Sequence, residues 1–362
     1  MQTVIQPPKT VDMSFKTNSI RRYFSILSIS LLFLQPLAAQ TGFPEIDLAL
    51  KRNQQALGKD VTTLIYKGGK IVYENNMGDM TAMSQERVGS CSKWYTAALV
   101  MTVVDEGKIL LDDSIGKFLP VFTRYGKGNI TIRQCLNNTS GLKQDPIKLL
   151  AGLERSKFNS LKEEVYDFAK NRDKVAEPGK EFRFGNTGLN IAGHIVEVAT
   201  GRKFEDLFKE RFVTPLAMQA TTFEKNAAVA NPSDGVWTTA GDYMNFMIMM
   251  LNKGVFKGKR ILSKASVEAM MQPQITPDMV KSTPDATVGY NYGLGVWIQE
   301  AAPDGKTAVI SSPGFFGTWP FVDYCRGYAC IIFTKNLFTE RKRDMYEAMK
   351  KVMDLHFAST CK

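Results

Sequence analysis

The sequence predicts an α+β fold, an α/β sandwich whose antiparallel sheet is flanked by helices, with an all-helical lobe inserted into it. Strand-like runs gather near both ends of the chain, and the middle reads as helices with capping residues. Between the first strands and the helices, Ser90-Cys91-Ser92-Lys93 opens a long apolar run.

Taken in order, residues 43–54 read as a helix, and 62–66 and 70–74 flank Gly68-Gly69 as a β-hairpin. After Ser90, residues from Trp94 to Val104 leave almost no polar face until Asp105-Glu106-Gly107-Lys108, so this helix belongs in the core and Gly107 ends it. Helices follow over 131–137, 160–171 with Ser160 and Glu163 in capping-box register, 186–200 closed by Gly201, 204–212 and 240–252. Strands return over 292–300, 308–311, 319–324 and 328–334, before a last helix over 340–357. The order predicts a sheet lobe of about residues 41–88 and 255–362 and a helical lobe of about 89–254, forming one domain over 41–362 with a cleft between them.

Residues 1–40 carry Arg21-Arg22, an apolar stretch from Tyr23 to Leu34, and the small residues Ala38-Ala39, the pattern of a secretory signal peptide. An uncleaved membrane anchor is the rival reading, but serines break the run, and it falls short of the roughly 20 apolar residues a span needs. Met13 as the start would give a leader of more usual length. The expected location is periplasmic or extracellular, with no stable membrane span once the leader is removed.

The formal charge of +10 comes without a basic block interleaved with aromatics, which argues against a nucleic-acid partner. Of cysteines 91, 135, 325, 330 and 361, Cys325 and Cys330 flank a short hairpin loop and could close a disulfide, or both could stay reduced. Cys91 reads as a small core residue. With no Cys-x-x-Cys pair and only His194 and His356, no metal or other cofactor is expected, and neither histidine has an acid at triad-like spacing.

On a helix, Ser90 and Lys93 share a face, so the amine can reach the hydroxyl's proton. A serine hydroxyl becomes a useful nucleophile when a base takes that proton, and a desolvated lysine can be that base. The same spacing recurs at Ser114/Lys117, Ser140/Lys143 and Ser359/Lys362, but none of these opens a buried helix. Capping is the plainer role for Ser90, yet it does not explain a lysine entering the core.

Further motifs follow in order: Val88-Gly89-Ser90-Cys91-Ser92-Lys93, Asp105 to Asp113, Ile130 to Leu142, Pro178-Gly179, Asn186-Thr187-Gly188, Pro215-Leu216-Ala217-Met218 and Tyr292-Gly293-Leu294-Gly295. Together they resemble the class C β-lactamase-like serine hydrolases, which include β-lactamases, D-alanyl-D-alanine carboxypeptidases, esterases and amidases. The resemblance implies a β-lactamase/DD-peptidase-like fold and an exported hydrolase that cleaves an ester or amide, β-lactam or D-Ala-D-Ala-like bonds included, in a small-molecule or peptide acyl substrate. It makes Ser90 the acylated nucleophile and Lys93 the base. The family's Tyr-x-Asn motif stands here as Phe184-Gly185-Asn186, keeping the asparagine and losing the phenol that moves the proton; a water or Tyr290 could replace it. Asn186 could equally cap its helix. Where the family has Lys-Thr-Gly or His-x-Gly, this chain has Ser312-Pro313-Gly314, so Ser312 can donate a hydrogen bond but brings no charge. That stretch could also be a strand-end turn. Gly314 admits the substrate backbone, and the N–H of Phe315 would complete an oxyanion hole with that of Ser90. Trp237, Trp297 and Trp319 serve as core or cleft walls. The loss of the tyrosine leaves an alternative, a non-catalytic binding or regulatory relative.

Overall fold

The computed structural model describes residues 42–145, 158–223, 229–336 and 343–361. The expected signal peptide and residues 340–342 of the last helix lie outside them.

Seven strands form one antiparallel sheet in the spatial order Lys70–Met77, Val61–Lys67, Tyr328–Thr334, Trp319–Asp323, Thr307–Ser311, Trp297–Ala301 and Asn291–Tyr292. The hairpin at Gly68-Gly69 forms because both glycines take positive φ, at 59° and 90°, where other residues are strained. Strand Tyr328–Thr334 is buried along its whole length, which marks a strand covered on both faces. Ile331 and Phe333 join the larger core with helices Ser92–Asp105 and Ala240–Leu251. Ile332 and Cys330 join the second, where Ile46 and Leu50 of helix Pro44–Leu57 meet Met349 and Met353 of helix Arg343–Asp354. Helices therefore cover the sheet on both sides.

The strand expected over 292–300 is two strands, Asn291–Tyr292 and Trp297–Ala301. Gly295 breaks it at φ 71°, and a Cβ there would stand 2.5 Å from Ala97 Cβ and 2.8 Å from Lys93 O. The break lets the sheet edge touch the backbone of the lysine helix. The helix expected over 204–212 runs from Phe204 to Phe208 and then widens into a π turn over Lys209–Val213.

The disulfide is Cys325–Cys361, not Cys325–Cys330. Asp323 pairs with Tyr328 at the strand end, so Cys325 sits inside the turn while Cys330 faces Phe321 within the ladder. Cys330 Sγ instead lies 3.6 Å from Met353 Sδ. Lys350, buried in the same layer, reaches Glu300, Asp323 and Asp354 at 3.0, 3.1 and 2.8 Å. Among the described residues, no helix is long and apolar enough to cross a membrane.

Candidate active site

Ser90 lies in a 3-10 turn, Gly89–Cys91, that runs directly into helix Ser92–Asp105. Gly89 enters the turn at φ 56°. Ser92 secures it: its hydroxyl donates to Gly89 O at 2.6 Å and accepts from Val236 N–H at 3.0 Å. Tyr243 donates to Cys91 O at 3.0 Å. The residue that offers Oγ is thus pinned on both sides.

Lys93 is 1% exposed, and its Nζ lies 3.1 Å from Ser90 Oγ, 2.8 Å from Asn186 Oδ1 and 3.1 Å from the carbonyl oxygen of Ser233. The last two oxygens can only accept. Two hydrogens of the amine therefore point away from Ser90, and the third position faces Oγ, with a hydrogen in the ammonium and a lone pair in the free amine. The face of the Phe184 ring lies 4.9 Å from the same nitrogen.

Asn186 precedes helix Thr187–Thr200 but makes no side-chain cap. Its side chain turns to Lys93 instead. Ser233 is placed by a relay of amides: its N–H donates to Asn190 Oδ1 at 3.0 Å and to Asn231 Oδ1 at 3.2 Å. Nothing in the sequence marked Ser233, because a backbone carbonyl carries no residue signature.

The opposite wall comes from the end of strand Thr307–Ser311. Ser312 Oγ lies 3.5 Å from Ser90 O, a long contact for a hydroxyl donor. Gly314 has no room for a side chain, since a Cβ would stand 2.1 Å from Val88 O. That close approach brings the next amide in: Phe315 N is 3.4 Å from the Cβ position at Gly89. Ser90, Lys93, Asn186, Ser312, Gly314, Phe315 and Phe184 are therefore gathered around one turn.

Phe184 is 5% exposed, with Trp297 at a ring distance of 5.2 Å and Tyr292 at 6.1 Å. It also lines a cleft of about 490 Å³ with Lys143, Gln144, Arg183 and Ser282. Tyr290 does not stand in for the missing phenol. Its hydroxyl donates to Glu347 at 2.8 Å, and the Arg343 guanidinium covers its ring at 4.9 Å. Burial pushes the Tyr292 phenol well above its ordinary range, so it is no proton acceptor.

Comparison with known proteins places the chain in a family. The matched part of the chain is 28% identical to penicillin-binding protein 4 of Amycolatopsis lactamdurans over 62% of this chain and 65% of that protein. It is 23% identical to the D-alanyl-D-alanine-carboxypeptidase/endopeptidase AmpH of Escherichia coli K12 over 66% of each. The chain thus spans just under two thirds of these relatives. Among solved structures, a candidate β-lactamase from Bacteroides dorei DSM 17855 superposes with a TM-score of 0.76 at 26% identity, covering 86% of this chain and 99% of that one. EstCE1, a hydrolase with promiscuous acyltransferase activity, shares the fold with a TM-score of 0.70 at 20% identity, over 85% of this chain and 98% of its own. The sequence model of the Beta-lactamase family matches residues 51–353, and the chain belongs to that family of serine hydrolases.

Proposed function

We propose that the protein is an exported hydrolase that opens esters, and less readily amides, through an acyl-enzyme on Ser90. The observation that carries this is the 3.1 Å approach of the buried Lys93 Nζ to Ser90 Oγ, with its other hydrogens directed at carbonyl oxygens. Lys93 takes the hydroxyl proton as Oγ bonds to the substrate carbonyl carbon. The N–H groups of Ser90 and Phe315 face the oxygen that becomes negative. Collapse expels the leaving group and leaves acyl-Ser90, and the proton held by Lys93 passes through solvent to the departing anion, restoring the free amine; a water then attacks, gives its proton to Lys93, and Lys93 returns it to Ser90 Oγ as the acid is released.

Phe184 decides which leaving groups suffice. Without a phenol to carry a proton, the step loses a general acid worth about 10²–10⁴-fold, or roughly 3–5 kcal/mol. A phenolate or enolate departs without that proton, whereas an amide nitrogen needs it. Reactive esters are therefore favoured over β-lactams and D-Ala-D-Ala-like peptides, the substrate types that the relatives' names suggest. The Cys325–Cys361 disulfide supports an oxidising compartment, periplasmic or extracellular.

The test is intact-mass detection of an adduct with a fluorophosphonate and with a penicillin, beside turnover of a chromogenic ester, in wild type and Ser90→Ala. Adduct and turnover that vanish in Ser90→Ala support the reading. No adduct and no Ser90-dependent turnover overturn it in favour of a binding or regulatory protein, the second reading, which Phe184 favours.

A further inference from the structure

We infer that Arg87 selects substrates whose acyl group carries a carboxylate; this rests on Ser90 being the acylated residue. Arg87 lies three residues before Ser90, in a two-residue strand paired with Trp237–Thr238. Its neighbour Glu86 turns the other way, to Lys335 at 3.5 Å. Arg87 points toward the nucleophile's turn, where three groups converge on Gly89. A Cβ at Gly89 would stand 3.2 Å from Asp234 Oδ1, 3.2 Å from Phe316 Cδ2 and 3.4 Å from Phe315 N. The Arg87 guanidinium lies over the Phe316 ring at 5.4 Å, and one N–H donates to Asp234 Oδ2 at 3.5 Å.

A guanidinium has five N–H donors, and among the described residues only this long bond uses one. The side chain is 30% exposed, so part of the fork reaches solvent beside the nucleophile's turn. Phe316 beneath it and the short ribbon behind it hold the plane in place, which lowers the entropy cost of a two-pronged bond to a carboxylate. Asp234 also follows Ser233, whose carbonyl holds Lys93, so one loop sets both the base and the partner of Arg87. An acyl chain bonded at Ser90, with its carbonyl oxygen toward Phe315 N–H, runs beside Phe316 to the guanidinium. Ser312 on the facing wall carries no charge to compete. The ligand class is the monoester of a short dicarboxylic acid.

The experiment compares kcat/KM for the mono-p-nitrophenyl ester of glutaric acid with that for p-nitrophenyl valerate, which has the same chain length and no charge. Both release a phenolate, so proton delivery cancels from the ratio. Wild type should favour the anionic ester about tenfold, as expected for a charge-assisted bond at a half-open site. Arg87→Gln should abolish that preference, Asp234→Asn should increase it, and added salt should reduce it. In parallel, binding of monomethyl glutarate and of methyl valerate to Ser90→Ala and to Ser90→Ala/Arg87→Gln is measured by calorimetry. A ratio within twofold of unity in wild type, or unaltered in Arg87→Gln, overturns the inference, as does a preference for the neutral ester. If neither ester is turned over, the hydrolase reading fails separately, and the binding arm decides alone: equal affinity for the two ligands overturns the role of Arg87.

Discussion

Lys93 Nζ stands 2.8 Å from Asn186 Oδ1, and that amide does not cap the helix it precedes. On the proposed reading, in which Lys93 is the base, Asn186 positions it. Asn186→Leu should lower kcat/KM for a p-nitrophenyl ester about tenfold to a hundredfold, the cost of one lost bond to a buried polar group. Asn186→Asp separates positioning from bulk. A carboxylate at that distance favours the ammonium, so the acid limb of the kcat/KM profile should move to higher pH. A profile that superimposes on that of wild type would remove Asn186 from the proton transfer.

Lys350 supplies a second pH dependence, far from the nucleophile. Burial pushes its ammonium down, but Glu300, Asp323 and Asp354 outweigh it and hold the group above its ordinary range. A raised folded value contributes stability that is fully present below the unfolded value, about 10.4, and is lost as pH rises through the folded one. Lys350→Met leaves three carboxylates with ligand oxygens within 4.8 Å of one another, Asp323 and Asp354 keeping only Arg326 at 3.1 and 3.5 Å and all three losing the ammonium between them. It should therefore destabilise the protein by about 3–5 kcal/mol at pH 8, in urea unfolding. The difference from wild type should narrow above about pH 10.5. A gap that widens there would contradict the sign of this linkage.

The Cys325–Cys361 disulfide closes a loop of sequence separation 36 and ties the chain's end to the sheet turn. A loop of that length confers about 4 kcal/mol in the chain-entropy account. Reductant should therefore lower the Tm of wild type, and Cys361→Ser should lower it equally while abolishing the response to reductant. A Tm unmoved by reductant in wild type would contradict a stabilising role.

What the sequence revealed depended on whether the feature was local. Ser90 and Lys93 were legible because three residues of helix place them on one face, and the Gly68-Gly69 hairpin because its turn needs glycine at positive φ. Asn186, Gly314 and Phe315 were nominated through the order of motifs along the chain. Ser233 was invisible because its backbone oxygen does the holding. The Cys325 partner was misjudged for a related reason. Nearness in sequence favoured Cys330, while strand register, set by the whole sheet, turned Cys330 into the second core. Arg87 and Asp234 lie 147 residues apart, a separation that no local pattern bridges.

Phe184 offers the most direct control of reaction type. Its ring packs between the Lys93 amine and Trp297, at 4.9 and 5.2 Å, so Phe184→Tyr adds one hydroxyl at the edge of a ring whose face already lies over the amine. If the absent phenol limits protonation of the leaving group, Phe184→Tyr should raise hydrolysis of an anilide or a cephalosporin by tenfold or more. Turnover of a p-nitrophenyl ester should change little, because its leaving group needs no proton. The ratio of amide to ester kcat/KM is therefore the decisive reading, since a general improvement or loss moves both rates together. An unchanged ratio would mean that acylation geometry, not proton delivery, sets the preference for esters.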